Sequence, residues 1–146
     1  DKTHHAIGLS HSGWRGTVQR IWQKTIDAMA KAYGTRPEDL KVIIGPSICQ
    51  SCYEVSEEVA DAFVAEFGSN RKDQLLMDKG NGKYQLDLWR ANELVFADAG
   101  LEPGQIETAG LCTCCHPDLL FSHRASHGKR GNMAAVLTLG GKNHES

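Results

Sequence analysis

His5-Ala6-Ile7-Gly8-Leu9-Ser10-His11-Ser12-Gly13-Trp14-Arg15-Gly16 opens with a short apolar segment and closes on two glycines, after which the hydrophobic pattern changes. A short apolar run halted by glycine reads as a strand over residues 5–10 entering a tight turn. Beyond the turn Val18, Ile21, Trp22, Ile26, Met29, Ala30 and Tyr33 recur at three- and four-residue steps. That spacing predicts a helix over 18–33, with Thr17 as N-cap and Gly34 as stop.

The alternation continues outward from this unit. Pro37-Glu38-Asp39 reads as a turn, and the β-branched run at 40–44 (LKVII) as a buried strand ended by Gly45-Pro46. Ser56 caps a predicted helix to about Phe67, with Val59, Ala60, Phe63, Val64 and Phe67 on one face. Asp87 caps another to about Ala99, with Leu88, Ala91, Leu94, Val95 and Ala99 inward and Gly100 as terminator. Between them Lys79-Gly80-Asn81-Gly82-Lys83 has hairpin-turn chemistry, flanked by short strands at 75–77 and 84–86. Residues 106–109 and 133–139 (MAAVLTL) supply the remaining strands, the last expected to be central and buried. The polar tail 140–146 is expected to fray. Residues 1–139 thus read as one α/β (α+β) sandwich, with no internal repeat or linker to divide them.

The 146 residues include 40% hydrophobic ones, enough to bury a core. Sixteen basic side chains face eighteen acidic ones, for a formal net charge of -2, and no block of like charge occurs. This balance argues against nucleic acid and anionic membranes as partners, so an anionic ligand needs a local site. No apolar run approaches the roughly 20 residues that span a bilayer, and the Asp1-Lys2-Thr3-His4-His5 start lacks a signal-peptide core. Five cysteines, an odd number with two adjacent, suit a reducing compartment, and the expected location is the cytoplasm.

Three motifs carry chemistry. At the first strand-to-helix junction Gly13 and Gly16 let the backbone turn closely, and Arg15 adds a planar two-pronged donor. With the outward amides of a new helix, this turn suits a phosphate or carboxylate. His11 is a candidate zinc ligand, since neutral imidazole on a rigid mount binds the ion at about 2.0–2.1 Å. The competing reading is a turn whose histidine only hydrogen-bonds backbone. The second motif, GPSICQSCYEV from Gly45, contains Cys49-x-x-Cys52. It reads as half a zinc knuckle, a redox pair, or two small buried thiols, and the buried thiols are favoured. The third is Leu111-Cys112-Thr113-Cys114-Cys115-His116-Pro117, continuing to Leu120-Phe121-Ser122-His123-Arg124. A four-cysteine zinc site joining it to Cys49 and Cys52 is the minor reading. Fifty-nine residues separate Cys52 from Cys112, and the second cluster is read as lacking standard ligand spacing. His123 and Arg124 read as polar groups directed at a ligand.

In this order HSGWRG, GPSICQSCYEV and CTCCHPDLLFSHR, followed by Gly-Asn-Met-Ala-Ala-Val, make the chain resemble the multicopper polyphenol oxidase (laccase-domain) family of purine nucleoside phosphorylase-like enzymes. The resemblance spans residue 5 to about 139. It implies a four-layer α-β-β-α sandwich with mixed sheet, of which this chain is the C-terminal part. It also implies a zinc held by a His of a QVHG-like motif, a Cys of an ADC-like motif and the His of HxGWRG, here His11. Such proteins run to roughly 250 residues on the scale of domain sizes, with the first two motifs ahead of HxGWRG. Neither motif is present here, so the expected partner is a missing N-terminal half, and none of the five cysteines takes the ADC role.

The implied activity is zinc-dependent phosphorolysis of inosine or adenosine, with adenosine deamination beside it. Arg15 would be the catalytic anion clamp, and Gly13, Arg15, Cys112, His123 and Arg124 would line the substrate pocket. Three protein ligands leave zinc an open position that lowers the pKa of bound water to about 7. Copper fits less well, because multicopper sites need a larger set of histidines. A peptidoglycan-precursor editing amidase is the alternative enzyme class, and an inactive structural fragment the alternative to an enzyme. Edges left by absent strands are expected to pair with another copy, giving a homo-oligomer.

Overall fold

The computed structural model describes residues 1–129 and 131–140. Its architecture is mixed α/β, as expected, with a parallel strand pair and a separate antiparallel sheet. The helix expected over 18–33 is instead two, α1 (Trp14–Val18) and α2 (Ile21–Tyr33). The break falls at Arg20, which adopts the left-handed conformation at φ 52°. That conformation is costly for a residue with a Cβ. Here the Arg20 guanidinium bonds to Glu66 and, at 2.9 Å, to Asp98, which offsets the cost. Thr17 is therefore not an N-cap; it is fully buried inside α1, with its hydroxyl donated to Gly13 O at 3.0 Å. Gly34 ends α2 as expected, at φ 75° with its amide on Ala30 O.

β1 (Val42–Ile44) follows a single turn of 3-10 helix at Pro37–Asp39. It is shorter than the 40–44 expected and only partly buried, since Ile43 is 63% exposed while Ile44 points inward. β2 (Glu54–Ser56) leads directly into α3 (Glu57–Phe67), where Ser56 holds the N-cap position without a side-chain cap bond. A short α4 (Lys72–Leu75) precedes the hairpin of β3 (Leu76–Gly80) and β4 (Lys83–Leu86). Asn81 and Gly82 form its tip at φ 54° and 67°, the positive angles a two-residue type I′ turn requires. α5 (Leu88–Asp98) is capped by Asp87, whose carboxylate accepts the Arg90 amide at 2.9 Å. β5 (Ile106–Thr108) then runs parallel to β1, with Val42 opposite Ile106 and Ile44 opposite Thr108. The antiparallel sheet has the order β2-β4-β3.

α5 is the element both cores share. Its Ala91, Leu94 and Val95 meet Phe63 and Phe67 of α3 and Leu75 and Leu86 beside the hairpin. Its Phe96 meets Ile26 and Met29 of α2, Leu40, Ile44 and Leu101. Trp22 packs against both clusters, its ring 5.1 Å from that of Phe96.

Two expected strands are corrected. Residues 5–10 form no ladder; Ala6 bonds back to Asp1 O, and His5 takes a positive φ of 50°. Residues 133–139, expected central and buried, form no strand and are exposed, Val136 by 83%. Apolar, β-branched composition suits a strand, but a strand exists only where a neighbour pairs its amides and carbonyls. Among the described residues β1 has only β5 beside it. Of the tail expected to fray, residues 141–146 lie outside the described residues, as does Arg130. No helix among the described residues is long and apolar enough to cross a membrane.

Candidate active site

The turn at Ser12-Gly13 is held from beneath by a buried polar network. Ser12 Oγ donates to Asn92 Oδ1 at 2.7 Å, and Asn92 Nδ2 donates to Leu88 O at 2.7 Å and to Thr17 Oγ1 at 3.3 Å. Asn92 is 3% exposed and Thr17 is fully buried, so these bonds are shielded from water. Sequence reasoning named Thr17 only as an N-cap and Ser12 only within its motif, and it missed Asn92. The available signal was a lone asparagine in the apolar inward stripe of α5, between Leu88, Ala91 and Val95.

This network presents His11, which is exposed, at one wall of an open cleft of about 860 Å³. Ligand sites commonly span roughly 300–1,000 Å³. Trp22, Ile43, Ile44, Leu120, Phe121 and Met133 give the cleft apolar walls, and Ser10, Ser47 and His123 add polar groups. His11 and His123, remote in sequence, thus share one cavity. Ser47 Oγ is fixed there by the Trp89 indole N–H at 2.5 Å.

The other expected site residues sit elsewhere. Gly13 underlies the imidazole: a Cβ there would stand 3.3 Å from His11 Nε2. Arg15 is exposed, with its guanidinium 4.5 Å from the centroid of the Trp14 ring. Arg124 donates from Nη2 to Glu54 O at 2.7 Å and stacks 5.7 Å from the Tyr53 ring. Burial pushes the Tyr53 phenol up, against the pull of the Arg124 and Arg15 charges. Gly13, Arg15, Cys112 and Arg124 do not line the cleft.

Cys112 belongs to a second feature. Cys49, Cys52, Cys112 and Cys115 bring their sulfurs within 4.8 Å of one another. The favoured picture of Cys49 and Cys52 as two buried thiols is corrected: both are half-buried, and both face the third motif. The second cluster does have ligand spacing, since Cys112-x-x-Cys115 mirrors Cys49-x-x-Cys52. The fifty-nine intervening residues are spanned by the β1–β5 pairing, continued by a bridge between Ser47 and Cys112. All five cysteines are free thiols. Burial raises the Cys112 thiol, but the amides of Cys49, Cys115 and Cys114 and the Cys49 side chain outweigh it and bring the pKa to about 6. The Cys52 thiol is pushed up, first by its hydrogen bond to Cys115 and then by burial.

A zinc centred on His11 needs further donors close to that imidazole. Among the described residues, the groups of three or more converging donors are the four cysteines and Asp1, His4 and Asp39. His11 is in neither group, so this chain's residues do not by themselves fit a three-ligand zinc site at that position.

Comparison with known proteins bears on the cleft and its motifs. The family model for multi-copper polyphenol oxidoreductase laccase matches residues 1–140. Purine nucleoside phosphorylase YlmD of Bacillus subtilis (strain 168) is 37% identical over 137 residues, covering 94% of this chain and 49% of its own. Adenosine deaminase RL5, from an unknown prokaryotic organism, is 37% identical over 119 residues, or 81% of this chain and 44% of its own. The crystal structure of the Bacillus licheniformis hypothetical protein YfiH superposes with a TM-score of 0.76 at 35% identity, over 82% of this chain and 45% of that one. The chain spans about half the length of the curated relatives it matches. With the match running through all three motifs and across the folded residues, the chain belongs to the multi-copper polyphenol oxidoreductase laccase family.

Proposed function

We propose that this chain forms part of a cytoplasmic purine nucleoside phosphorylase, in which His11 and His123 face a nucleoside held in the cleft. The observation that carries this reading is the cleft itself: two imidazoles lining an apolar-walled cavity of about 860 Å³, in a chain similar to proteins named purine nucleoside phosphorylase. The aromatic and aliphatic walls suit the flat faces of a purine, and Ser10 and Ser47 suit ribose hydroxyls. In phosphorolysis a phosphate oxygen bonds to C1′ as the C1′–N9 bond breaks, and the electron pair leaves on the base. An imidazole at the cleft is suited to deliver the proton that neutralises the departing purine. A zinc at His11 would take its other donors from residues outside this chain, and none of these roles depends on it. An odd number of cysteines, two of them adjacent, supports the cytoplasmic location.

Arg15 is the proposed phosphate clamp, reaching the anion by leaving the Trp14 ring. The test is Arg15→Ala in a full-length form, assayed with inosine and phosphate. Catalytic efficiency is expected to fall at least tenfold, mainly through a raised KM for phosphate; unchanged efficiency removes the clamp. Phosphate dependence also separates this reading from the amidase, because amide hydrolysis consumes none. A second reading, adenosine deamination, is favoured by the similarity to a protein named adenosine deaminase. Phosphate-independent ammonia release from adenosine would establish it.

A further inference from the structure

Two Cys-x-x-Cys pairs from loops remote in sequence meet at one end of the β1–β5 pair. Cys49 and Cys52 follow β1, and Cys112 and Cys115 follow β5. The sulfur contacts cross between the loops, Cys52 to Cys115 at 3.5 Å and Cys49 to Cys115 at 3.9 Å. A tetrahedral zinc with Zn–S bonds of about 2.3 Å sets its sulfurs about 3.8 Å apart. The observed contacts straddle that value. They are far longer than the roughly 2.05 Å of a disulfide, so the cluster is shaped as a ligand cage.

The surroundings suit anionic sulfur. The amides of Cys49 and Cys115 donate to Cys112 Sγ at 3.3 and 3.4 Å, and the Ser51 hydroxyl lies 3.2 Å from Cys49 Sγ. Four thiolates around one divalent ion leave a net negative charge, which such donors spread. We propose that Cys49, Cys52, Cys112 and Cys115 bind one zinc ion as a structural tetrathiolate centre, independent of any metal at His11. Tetrahedral four-cysteine donor sets select zinc or iron, and a site with no open position is structural, not catalytic. Its place in the fold gives it a task. Ser47 and Thr113, which line the cleft, are joined by the Thr113 amide on Ser47 O at 3.1 Å, and each lies within two residues of a ligand. The ion rivets that wall.

The test uses protein purified under reducing, chelator-free conditions. Elemental analysis is expected to find a thiolate-bound equivalent of zinc, released when an organomercurial titrates the thiols. Cys112→Ser and Cys115→Ser lose this equivalent, while Cys114→Ser and His11→Ala keep it. Should the cysteine variants fail to accumulate, cobalt exchanged into the unaltered protein decides: intense visible bands with sulfur-to-cobalt charge transfer are expected. The proposal is overturned by zinc retained in Cys112→Ser, by cobalt uptake without those bands, by iron in place of zinc, or by a Cys52–Cys115 disulfide in freshly purified protein.

Discussion

Ser12 Oγ and Asn92 Oδ1 are joined by a 2.7 Å hydrogen bond across eighty positions of sequence, and Thr17 closes the network around them. The bond ties the turn that carries His11 to the helix both cores share. Asn92→Leu removes the Ser12 hydroxyl's shorter partner and the amide donor to Thr17, leaving the two hydroxyls with each other and Gly13 O, at an expected cost of about 1–3 kcal/mol. Urea denaturation should show the loss. Ser12→Ala in that background should add little, because residues in one network do not contribute independently. Full additivity of the two substitutions would show that the bond contributes nothing.

Asp98 ties the end of α5 to the residues that precede α4 and α2, accepting from Arg71 at 2.8 Å through both oxygens and from Arg20 at 2.9 Å. The Arg71 bond first, then the Arg20 bond, hold its carboxyl below the usual range against the opposing effect of burial. A depressed carboxylate stabilises the fold above its unfolded pKa, and that stability is lost as pH falls through the folded value. Asp98→Asn should cost on the order of 1 kcal/mol at neutral pH, since the group is a quarter exposed. The difference from the unaltered protein should vanish in acid. A constant difference from neutral pH to well below the carboxylate range contradicts the assignment.

The helices α3 and α5 and the Asn81-Gly82 hairpin were legible in the sequence, because cap, period and turn residues all lie within the element they specify. Two kinds of feature were not. Residues 5–10 and 133–139 have strand composition, but pairing is a property of neighbours and not of the segment. The break at Arg20 was hidden because the apolar period runs through it, and its partners Glu66 and Asp98 are remote. Of the site, His11 and His123 were found as residues, yet their shared cleft depends on segments remote from one another in sequence. The cysteine cage was discounted on the distance between its halves, which the parallel pairing of β1 with β5 removes.

Gly13 lies under His11 with the backbone at an ordinary φ of -73°, so any residue can adopt its conformation. Space is what is limited, because a Cβ would stand 3.3 Å from His11 Nε2. Gly13→Ala should leave stability within about 0.5 kcal/mol, the usual range for surface substitutions, while shifting the imidazole. Proton–nitrogen correlation spectra should show His11 ring signals that move while those of His123 stay in place. Unmoved His11 signals would mean that the ring does not rest on this glycine.

Arg124 makes its resolved contacts within the protein, capping Glu54 O and lying over Tyr53. Its positive charge favours the tyrosinate, whereas burial of the phenol disfavours it, and burial prevails. Arg124→Ala should therefore raise the Tyr53 phenol further, and the shift is measurable by ultraviolet titration against Tyr53→Phe. Arg124→Lys keeps the charge but loses the planar stacking, so it should give a smaller shift in the same direction. The alanine variant should also cost about 1 kcal/mol through the lost bond to Glu54 O. A phenol that titrates identically in all three proteins would place the guanidinium away from Tyr53 in solution and free it to reach a ligand instead.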